Sequence, residues 1–179
     1  MKKTLAVFVL ILTLCACVYA SHRVSITFDP FTFQHFVQKN GETKDKVNSK
    51  YGLGGGIGYN WEFGKGFMLG ADIKADTYMI ENKKNFTDIS FLAKAGYIAK
   101  VSETVSLYGN MKAGLDLQAH DNKASAVLEF GPELGIEFKV NEHFDLFASC
   151  EGLFGFPKKD GIKYSEFRVT PAIGMGYTF

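Results

Sequence analysis

Residues 124–140 read ASAVLEFGPELGIEFKV, a stretch in which apolar and charged side chains alternate position by position. One phase of the alternation holds Leu128, Phe130, Pro132, Leu134, Ile136 and Phe138. The other phase holds Glu129, Glu133, Glu137 and Lys139. Successive side chains of a β-strand lie on opposite faces, so a period of two is typical of a strand. This stretch therefore predicts a strand with one apolar face and one charged face.

The same alternation recurs along the chain and predicts eight strands in all. They cover residues 24–36, 51–62, 67–79, 89–101, 105–117, 124–140, 144–156 and 167–179. In the first strand the phase changes near Asp29-Pro30, which predicts a β-bulge because proline interrupts a ladder hydrogen bond.

The connections between these strands are of two kinds. Tight turns are predicted at residues 63–66, 102–103 and 141–143. Longer polar loops are predicted around residues 37–50, 80–86, 119–123 and 157–163. Short turns at one end and long loops at the other predict an all-β fold, an eight-stranded antiparallel up-and-down barrel.

The chemistry of the two strand faces decides which environment the barrel occupies. A soluble calyx would hold the apolar phase inside, whereas a transmembrane barrel places it against lipid. Eight strands enclose an interior only just wide enough for side chains, so the Phe, Tyr and Leu residues of the apolar phase are too bulky for it. The opposite phase is rich in glycine, which suits a narrow lumen. The sequence therefore predicts a transmembrane β-barrel, with a secreted soluble calyx as an alternative.

The charged phase would line the lumen of such a barrel. The predicted lumen charge network comprises Asp72, Lys74, Asp76, Lys94, Lys112, Asp116, Glu129, Glu133, Glu137, Glu151, Glu166 and Arg168. Lys100, Lys139 and Asp145 fall in the same phase. These groups could form an ion path, or they could form a salt-bridge core that closes the barrel, because buried charges must pair. In a barrel of eight strands the closed core is the preferred interpretation.

The N-terminal residues have the three parts of a secretory signal. Two lysines precede an apolar run over residues 5–14, and smaller residues follow up to Ala20. The predicted organisation is a cleavable signal peptide over residues 1–20 and a barrel domain over residues 21–179. The alternative is a lipobox in which Cys17 is lipidated and begins the mature chain.

With these features the chain resembles the small eight-stranded bacterial outer-membrane barrels of the OmpA/OmpX type across residues 21–179. The most specific part of the resemblance is the alternating C-terminal stretch, with Ile173, Met175, Tyr177 and Phe179 in one phase. This stretch is similar to the C-terminal signature that the barrel-assembly machinery recognises in such proteins. The resemblance implies a place in the bacterial outer membrane, contact with outer-membrane lipids and assembly by that machinery.

The residues and the resemblance together indicate a structural or surface-interaction role with a largely plugged lumen. A narrow channel for ions or small apolar solutes is the alternative. Lysines in the loops around residues 37–50 and 157–163 could attract anionic headgroups, a host polyanion or another envelope ligand. An ordinary solvated surface would explain the same lysines.

Several classes of chemistry receive no support from the sequence. A formal net charge of +1 leaves no basic footprint for nucleic acid. Paired cysteines and histidines at metal-ligand spacing are absent, so neither a cofactor nor a metal site is predicted. A lipid-modifying enzyme of the outer membrane would need a His–Ser arrangement on a lipid-facing strand. His120 and Ser125 lie near one loop without forming such a pair, so no catalytic residue is predicted.

Overall fold

The computed structural model describes residues 20–40, 43–80, 86–120, 123–156, 158–159 and 162–179. Nearly all of these residues lie in β-strands: β1 (Ser21–Asn40), β2 (Thr43–Phe63), β3 (Phe67–Ile80), β4 (Phe86–Lys100), β5 (Val105–His120), β6 (Lys123–Lys139), β7 (Phe144–Gly155), β8 (Lys158–Lys159) and β9 (Ile162–Thr178). No helix within the described ranges is long and apolar enough to span a membrane.

The strands close into a barrel. From β1 to β7 each strand pairs antiparallel with the next, β7 pairs with β9, and β9 pairs with β1. The two-residue strand β8 pairs with β9 outside this ring. The predicted eight-stranded up-and-down barrel is thus confirmed, and its wall consists of β1–β7 and β9. Closure leaves no free edge along the ring and pairs the backbone groups of each wall strand with its two neighbours, as a lipid environment requires.

The two faces of the strands lie as predicted. On β6, Leu134 is 68% exposed and Phe138 is 46% exposed, whereas Glu133 is only 7% exposed. The same contrast holds on the other strands of the wall. Their exposed residues are mainly Leu, Ile, Phe and Met, whereas their buried residues are mainly charged and polar. A soluble protein would bury the first set and expose the second. The apolar outer surface therefore fits lipid, and the charged surface lines the lumen.

The three predicted tight turns are confirmed at what we call the turn end of the barrel. Gly64 and Gly66 connect β2 to β3 with positive φ angles of 61° and 111°, a region that favours glycine. Ser102 Oγ accepts hydrogen bonds from the backbone N–H of Thr104 and Val105 between β4 and β5. Asn141 Oδ1 caps the β6–β7 turn in the same way.

Aromatic residues form belts near both ends of the barrel. At the turn end, Tyr177 lies 5.0 Å from both Phe144 and Phe179, measured between ring centroids. At the opposite end, which we call the loop end, Phe154 lies 4.7 Å from Phe167 and 6.3 Å from Phe130. Such belts mark the two membrane interfaces of transmembrane barrels.

The predicted bulge in β1 is confirmed. The register of β1 shifts against β2 between Asp29 and Thr32, and against β9 between Phe28 and Phe33. As a result, Asp29 and Thr32 both lie inside the barrel although three positions separate them. Pro30 lies within the bulge, where its missing N–H removes no ladder hydrogen bond.

The predicted loop over residues 37–50 is wrong in its extent. β1 continues to Asn40 and β2 begins at Thr43, with Asn40 paired to Thr43. The same holds at the β5–β6 connection, where His120 pairs with Lys123. Polar residues can pair as a hairpin in water as well as in a barrel wall, so the loss of apolar alternation did not mark the end of the strands. The predicted loop centre at residues 81–85 lies outside the described residues.

Candidate functional site in the barrel lumen

Every residue of the predicted lumen charge network is buried, and the structure places all of them inside the barrel. They contribute from β3 to β7 and from β9, so residues distant in sequence meet across the lumen. Their contacts divide the lumen into a central layer, a layer toward the loop end and a layer toward the turn end.

Lys112 is the hub of the central layer. Its Nζ lies 2.8 Å from Asp72 Oδ2, 2.9 Å from Glu133 Oε1 and 2.9 Å from Glu151 Oε2. Asn110, two residues earlier on the same face of β5, donates its side-chain amide to Glu133 at 2.8 Å. One ammonium group thereby ties together carboxylates from β3, β6 and β7.

Two further lysines complete the central layer. Lys74 Nζ lies 2.6 Å from Glu151 Oε1 and 2.9 Å from Asp29 Oδ2. Lys94 Nζ lies 2.5 Å from Asp72 Oδ1. The Lys74–Glu151 pair crosses the lumen between the opposite strands β3 and β7, whereas Lys94 pairs with Asp72 on the adjacent strand.

Arg168 on β9 is the centre of the loop-end layer and is fully buried. Its Nη1 lies 3.1 Å from Asp88 Oδ2, and its Nη2 lies 2.7 Å from Glu129 Oε2. Nη2 also donates to Ser90 Oγ at 3.0 Å, and Nη1 donates to the Tyr78 hydroxyl at 3.4 Å. The planar guanidinium is suited to such a role, because it presents several donors in fixed directions.

Carboxylates outnumber cations in the loop-end layer. One oxygen from each of Asp116, Glu129 and Glu166 lies within 4.8 Å of the others. Gln118 Nε2 donates to Asp116 at 3.0 Å and to Glu166 at 2.8 Å, so an amide, not a cation, separates these two acids. Three carboxylate oxygens at these distances could together hold a metal ion or share protons. The group brings together β5, β6 and β9, which local spacing in the sequence does not reveal.

Arg23 on β1 is the centre of the turn-end layer. It forms two hydrogen bonds to Asp145, one of them from Nε to Oδ2 at 2.8 Å, and its Nη2 lies 3.5 Å from Glu137. Its guanidinium carbon lies 4.8 Å from the centre of the Phe147 ring, a cation–π contact.

Apolar residues lie in the lumen beside Arg23. Met68, Ile98, Tyr108 and Phe147 form a buried cluster that we call the apolar layer. A cavity of about 20 Å³ between this layer and the central lysines has room for about one water molecule. The apolar layer is not evident from the sequence, because its residues lie in the charged phase and have no pattern of their own.

The structure corrects the sequence analysis at several lumen positions. Lys100 and Lys139 are exposed at the turn end, since the strands end there, whereas Asp145 is buried as expected. Asp29 lies inside the barrel but was missed, because the bulge in β1 obscures the phase of that strand, and Arg23 was missed because it lies one residue before the predicted start of β1. Asp88 was missed because it lies one residue before the predicted start of its strand.

The C-terminal residues lie on the outer surface. Ile173, Met175, Tyr177 and Phe179 are exposed on the lipid-facing side of β9, the strand that closes the ring against β1. The side chain of His120, considered above as a candidate base, lies outside the described part of the chain.

The fold and the lumen are those of a known class of proteins. A family model described as "Outer membrane protein beta-barrel domain" matches residues 6–179. The chain belongs to this family. It is a transmembrane β-barrel of the bacterial outer membrane, with porin-like architecture, and its turn end and loop end correspond to the two faces of that membrane.

Solved structures show the same fold. The chain is similar to the Neisserial surface protein A (NspA), with 16% sequence identity and a TM-score of 0.56, covering 89% of this chain and 99% of that one. It is similar to OprG from Pseudomonas aeruginosa, with 13% identity and a TM-score of 0.56, covering 90% and 96%. It is also similar to the outer membrane protease OmpT from Escherichia coli, with 8% identity and a TM-score of 0.51, covering 89% and 97%.

At these identities the structural similarity establishes the fold alone. No curated protein matches the chain. The neighbours include a surface protein and a protease, so the same architecture carries different functions, and the role of this chain must be argued from its own residues.

Proposed function

We propose that this protein is a structural or surface-interaction component of the outer membrane and that its lumen is closed to ions. The apolar layer carries this proposal, because it blocks the lumen with Met68, Ile98, Tyr108 and Phe147 where charged walls alone would admit water. The ion pairs of the central layer support it. Lys112 is held by three carboxylates at 2.8–2.9 Å, so a passing ion would have to displace a fully paired cation.

A planar-bilayer recording tests the closed lumen. We expect the purified protein to give no reproducible conductance steps, because an ion would have to displace both the buried side chains of the apolar layer and the paired lysines of the central layer. The variant Phe147→Ala, which removes the phenyl ring from the apolar layer, provides the comparison. Brief openings in this variant alone would show that the layer is the barrier.

The alternative function is a narrow channel. The observation in its favour is the charged wall, which runs from Arg23 through Lys112 to Arg168 along the lumen. Reproducible single-channel steps from the unmodified protein would support this function and contradict the closed lumen.

We assign the protein no enzymatic activity. Two of the described histidines lie at the turn end. His22 Nδ1 bonds to the Tyr59 hydroxyl at 2.6 Å, and His143 Nδ1 lies 3.0 Å from the backbone oxygen of Thr178, with its ring stacked on Tyr177 of the aromatic belt. A change in lipid acylation that depends on His120 would contradict this assignment.

We also propose that residues 1–20 are an export signal. Cleavage after Ala20 leaves Ser21 at the start of β1, whereas lipidation would begin the mature chain at Cys17; N-terminal sequencing distinguishes the two.

We further propose that the alternating C-terminal residues Ile173, Met175, Tyr177 and Phe179 direct assembly of the barrel into the membrane. The exposure of Tyr177 and Phe179 at the end of the closing strand supports recognition by the barrel-assembly machinery before β9 meets β1. Binding of a peptide of residues 173–179 to that machinery tests it.

A further inference from the structure

The loop-end layer of the lumen holds more carboxylates than cations. Asp76 lies opposite Asp88 in the register of β3 and β4, so it belongs to this layer as well. Among the side chains that the structure describes, the layer then contains one buried cation, Arg168, and five buried acids: Asp76, Asp88, Asp116, Glu129 and Glu166. Buried charges are costly unless they are paired. The layer therefore needs positive charge beyond that of Arg168.

The guanidinium of Arg168 does not reach the whole layer. Its ion pairs account for two of the five acids. Asp116 and Glu166 instead share a neutral donor, because Gln118 Nε2 donates to Asp116 at 3.0 Å and to Glu166 at 2.8 Å. Within the described part of the chain, neither of these two acids forms an ion pair. An amide offers a hydrogen bond to both carboxylates but does not neutralise them.

Three acids of this layer converge, and we call Asp116, Glu129 and Glu166 the acid trio. One oxygen from each lies within 4.8 Å of the others. Gly155 on β7 pairs with Glu129 on one side and with Glu166 on the other. A Cβ at this glycine would lie 3.6 Å from Glu129 Cγ and 3.6 Å from Glu166 Cβ. Because Gly155 has no side chain, the space between these two acids stays open.

One oxygen of the acid trio has no hydrogen-bond partner. Glu129 is only 2% exposed, and its Oε2 lies 2.7 Å from Arg168 Nη2. Its Oε1 is buried and accepts no hydrogen bond from any residue that the structure describes. Buried carboxylate oxygens in proteins are ordinarily paired. The Oε1 atom therefore points to a partner that the side chains around it do not supply.

The donor atoms of the acid trio indicate the class of this partner. Carboxylate oxygens suit hard cations such as Ca²⁺ and Mg²⁺ and not the softer transition metals. Ca²⁺ bonds oxygens at about 2.3–2.6 Å in flexible geometry, so oxygens within 4.8 Å of one another can reach a single ion. Mg²⁺ requires near-ideal octahedral geometry at about 2.0–2.1 Å, which suits side chains on three fixed strands less well. Rotation of the Gln118 amide would present its oxygen in place of its nitrogen and add a neutral ligand.

We propose that the acid trio binds a Ca²⁺ ion in the loop-end layer of the lumen. The ion neutralises carboxylates that Arg168 does not reach, and it takes the open oxygen of Glu129 as a ligand. Water molecules complete its coordination, as is usual for Ca²⁺ in proteins. The ion links β5, β6 and β9, which are not all neighbours in the ring, so it stabilises the loop end of the barrel. This inference goes beyond the proposed structural role and does not depend on the closed lumen.

The test uses the full barrel in nanodiscs of phosphatidylcholine, whose zwitterionic headgroups keep anionic lipid away from the ion. The variant Asp116→Asn/Glu166→Gln removes two charges of the acid trio and keeps the size of both side chains. The matched control Glu103→Gln/Glu142→Gln removes two exposed acids at the turn end. After treatment with a chelator, Ca²⁺ binding at neutral pH is measured by equilibrium dialysis. Urea unfolding with and without Ca²⁺ measures the effect on stability.

We expect the unmodified protein and the turn-end control to bind one Ca²⁺ per barrel, and more tightly than Mg²⁺. The acid-trio variant should bind Ca²⁺ roughly a hundredfold more weakly, because affinity for this ion depends on the number of charged ligands. Ca²⁺ should raise the urea midpoint of the first two proteins and leave that of the variant unchanged, since a ligand of the folded state stabilises it. If the double variant does not fold, Glu166→Gln alone provides the same comparison.

Equal Ca²⁺ binding by the unmodified protein and the acid-trio variant would overturn the proposal. Failure of the unmodified protein to bind Ca²⁺ would also overturn it, and would show that shared protons neutralise the acid trio. Tighter binding of Mg²⁺ would overturn the choice of ion. None of these measurements concerns conductance, so the closed lumen is judged separately.

Discussion

Replacing Arg168 with methionine is expected to destabilise the folded barrel by about 3–5 kcal/mol, the usual cost of removing one partner from a buried ion pair. Methionine has a similar length and fills much of the same space, so the loss is mainly one of charge. Asp88 and Glu129, both buried, would lose the guanidinium that lies within about 3 Å of each. The measurement is urea unfolding in lipid vesicles, followed by the fluorescence of the single tryptophan, Trp61.

Two further variants identify the cause of this effect. Lys100→Met removes an exposed cation at the turn end and should change the free energy of unfolding by less than about 0.5 kcal/mol. Adding Asp88→Asn and Glu129→Gln to Arg168→Met should recover part of the lost stability, because the two carboxylates that face Arg168 are then replaced by neutral amides. If Arg168→Met alone left stability unchanged, the carboxylates of the loop-end layer would be neutralised by protons or a cation and not by Arg168.

Replacing Leu134 with arginine should destabilise the protein in lipid by about 2–4 kcal/mol, although this side chain is largely exposed. Leu134 lies on β6 midway between Phe130 in the loop-end belt and Phe138 near the turn end, so it faces the middle of the bilayer. An arginine there would have to leave water for hydrocarbon. The same urea unfolding in vesicles measures the change.

Leu134→Phe is the matched control for this position, because it keeps an apolar side chain against lipid and should have little effect. Glu142→Arg adds a positive charge in the exposed β6–β7 turn and should also have little effect. A neutral result for Leu134→Arg would argue that this surface does not contact the bilayer centre.

Much of the fold could be predicted from the sequence, because the alternation within each strand indicates which of its faces contacts lipid and which faces the lumen. The alternation of Leu134 and Phe138 with Glu133 and Glu137 is strictly local and sufficed to orient β6. Asp29-Pro30 marked the bulge in the same way. The extent of the loops could not be predicted. The paired ends of β1 and β2 are polar at most positions, so they show no alternation from which a strand could be recognised.

The sequence predicted which residues line the lumen, but it did not predict which of them pair with each other. The sequence placed Lys112, Asp72 and Glu151 on the inner face of their strands, yet only the closed ring shows that they meet. The apolar layer was invisible for a related reason. Met68 and Phe147 are apolar residues in mostly polar phases, and their contact depends on how far each strand is staggered against the next.

Period-two alternation and the size of its apolar side chains, both properties of short segments, determined from sequence alone that the chain forms a barrel with its charges inside. Only the tertiary structure decided that Arg168 holds Asp88 and Glu129, and that Lys112 meets Asp72, Glu133 and Glu151. These contacts depend on the register between strands and on the phase changes at bulges. Register accumulates around the whole ring, so no single segment specifies it.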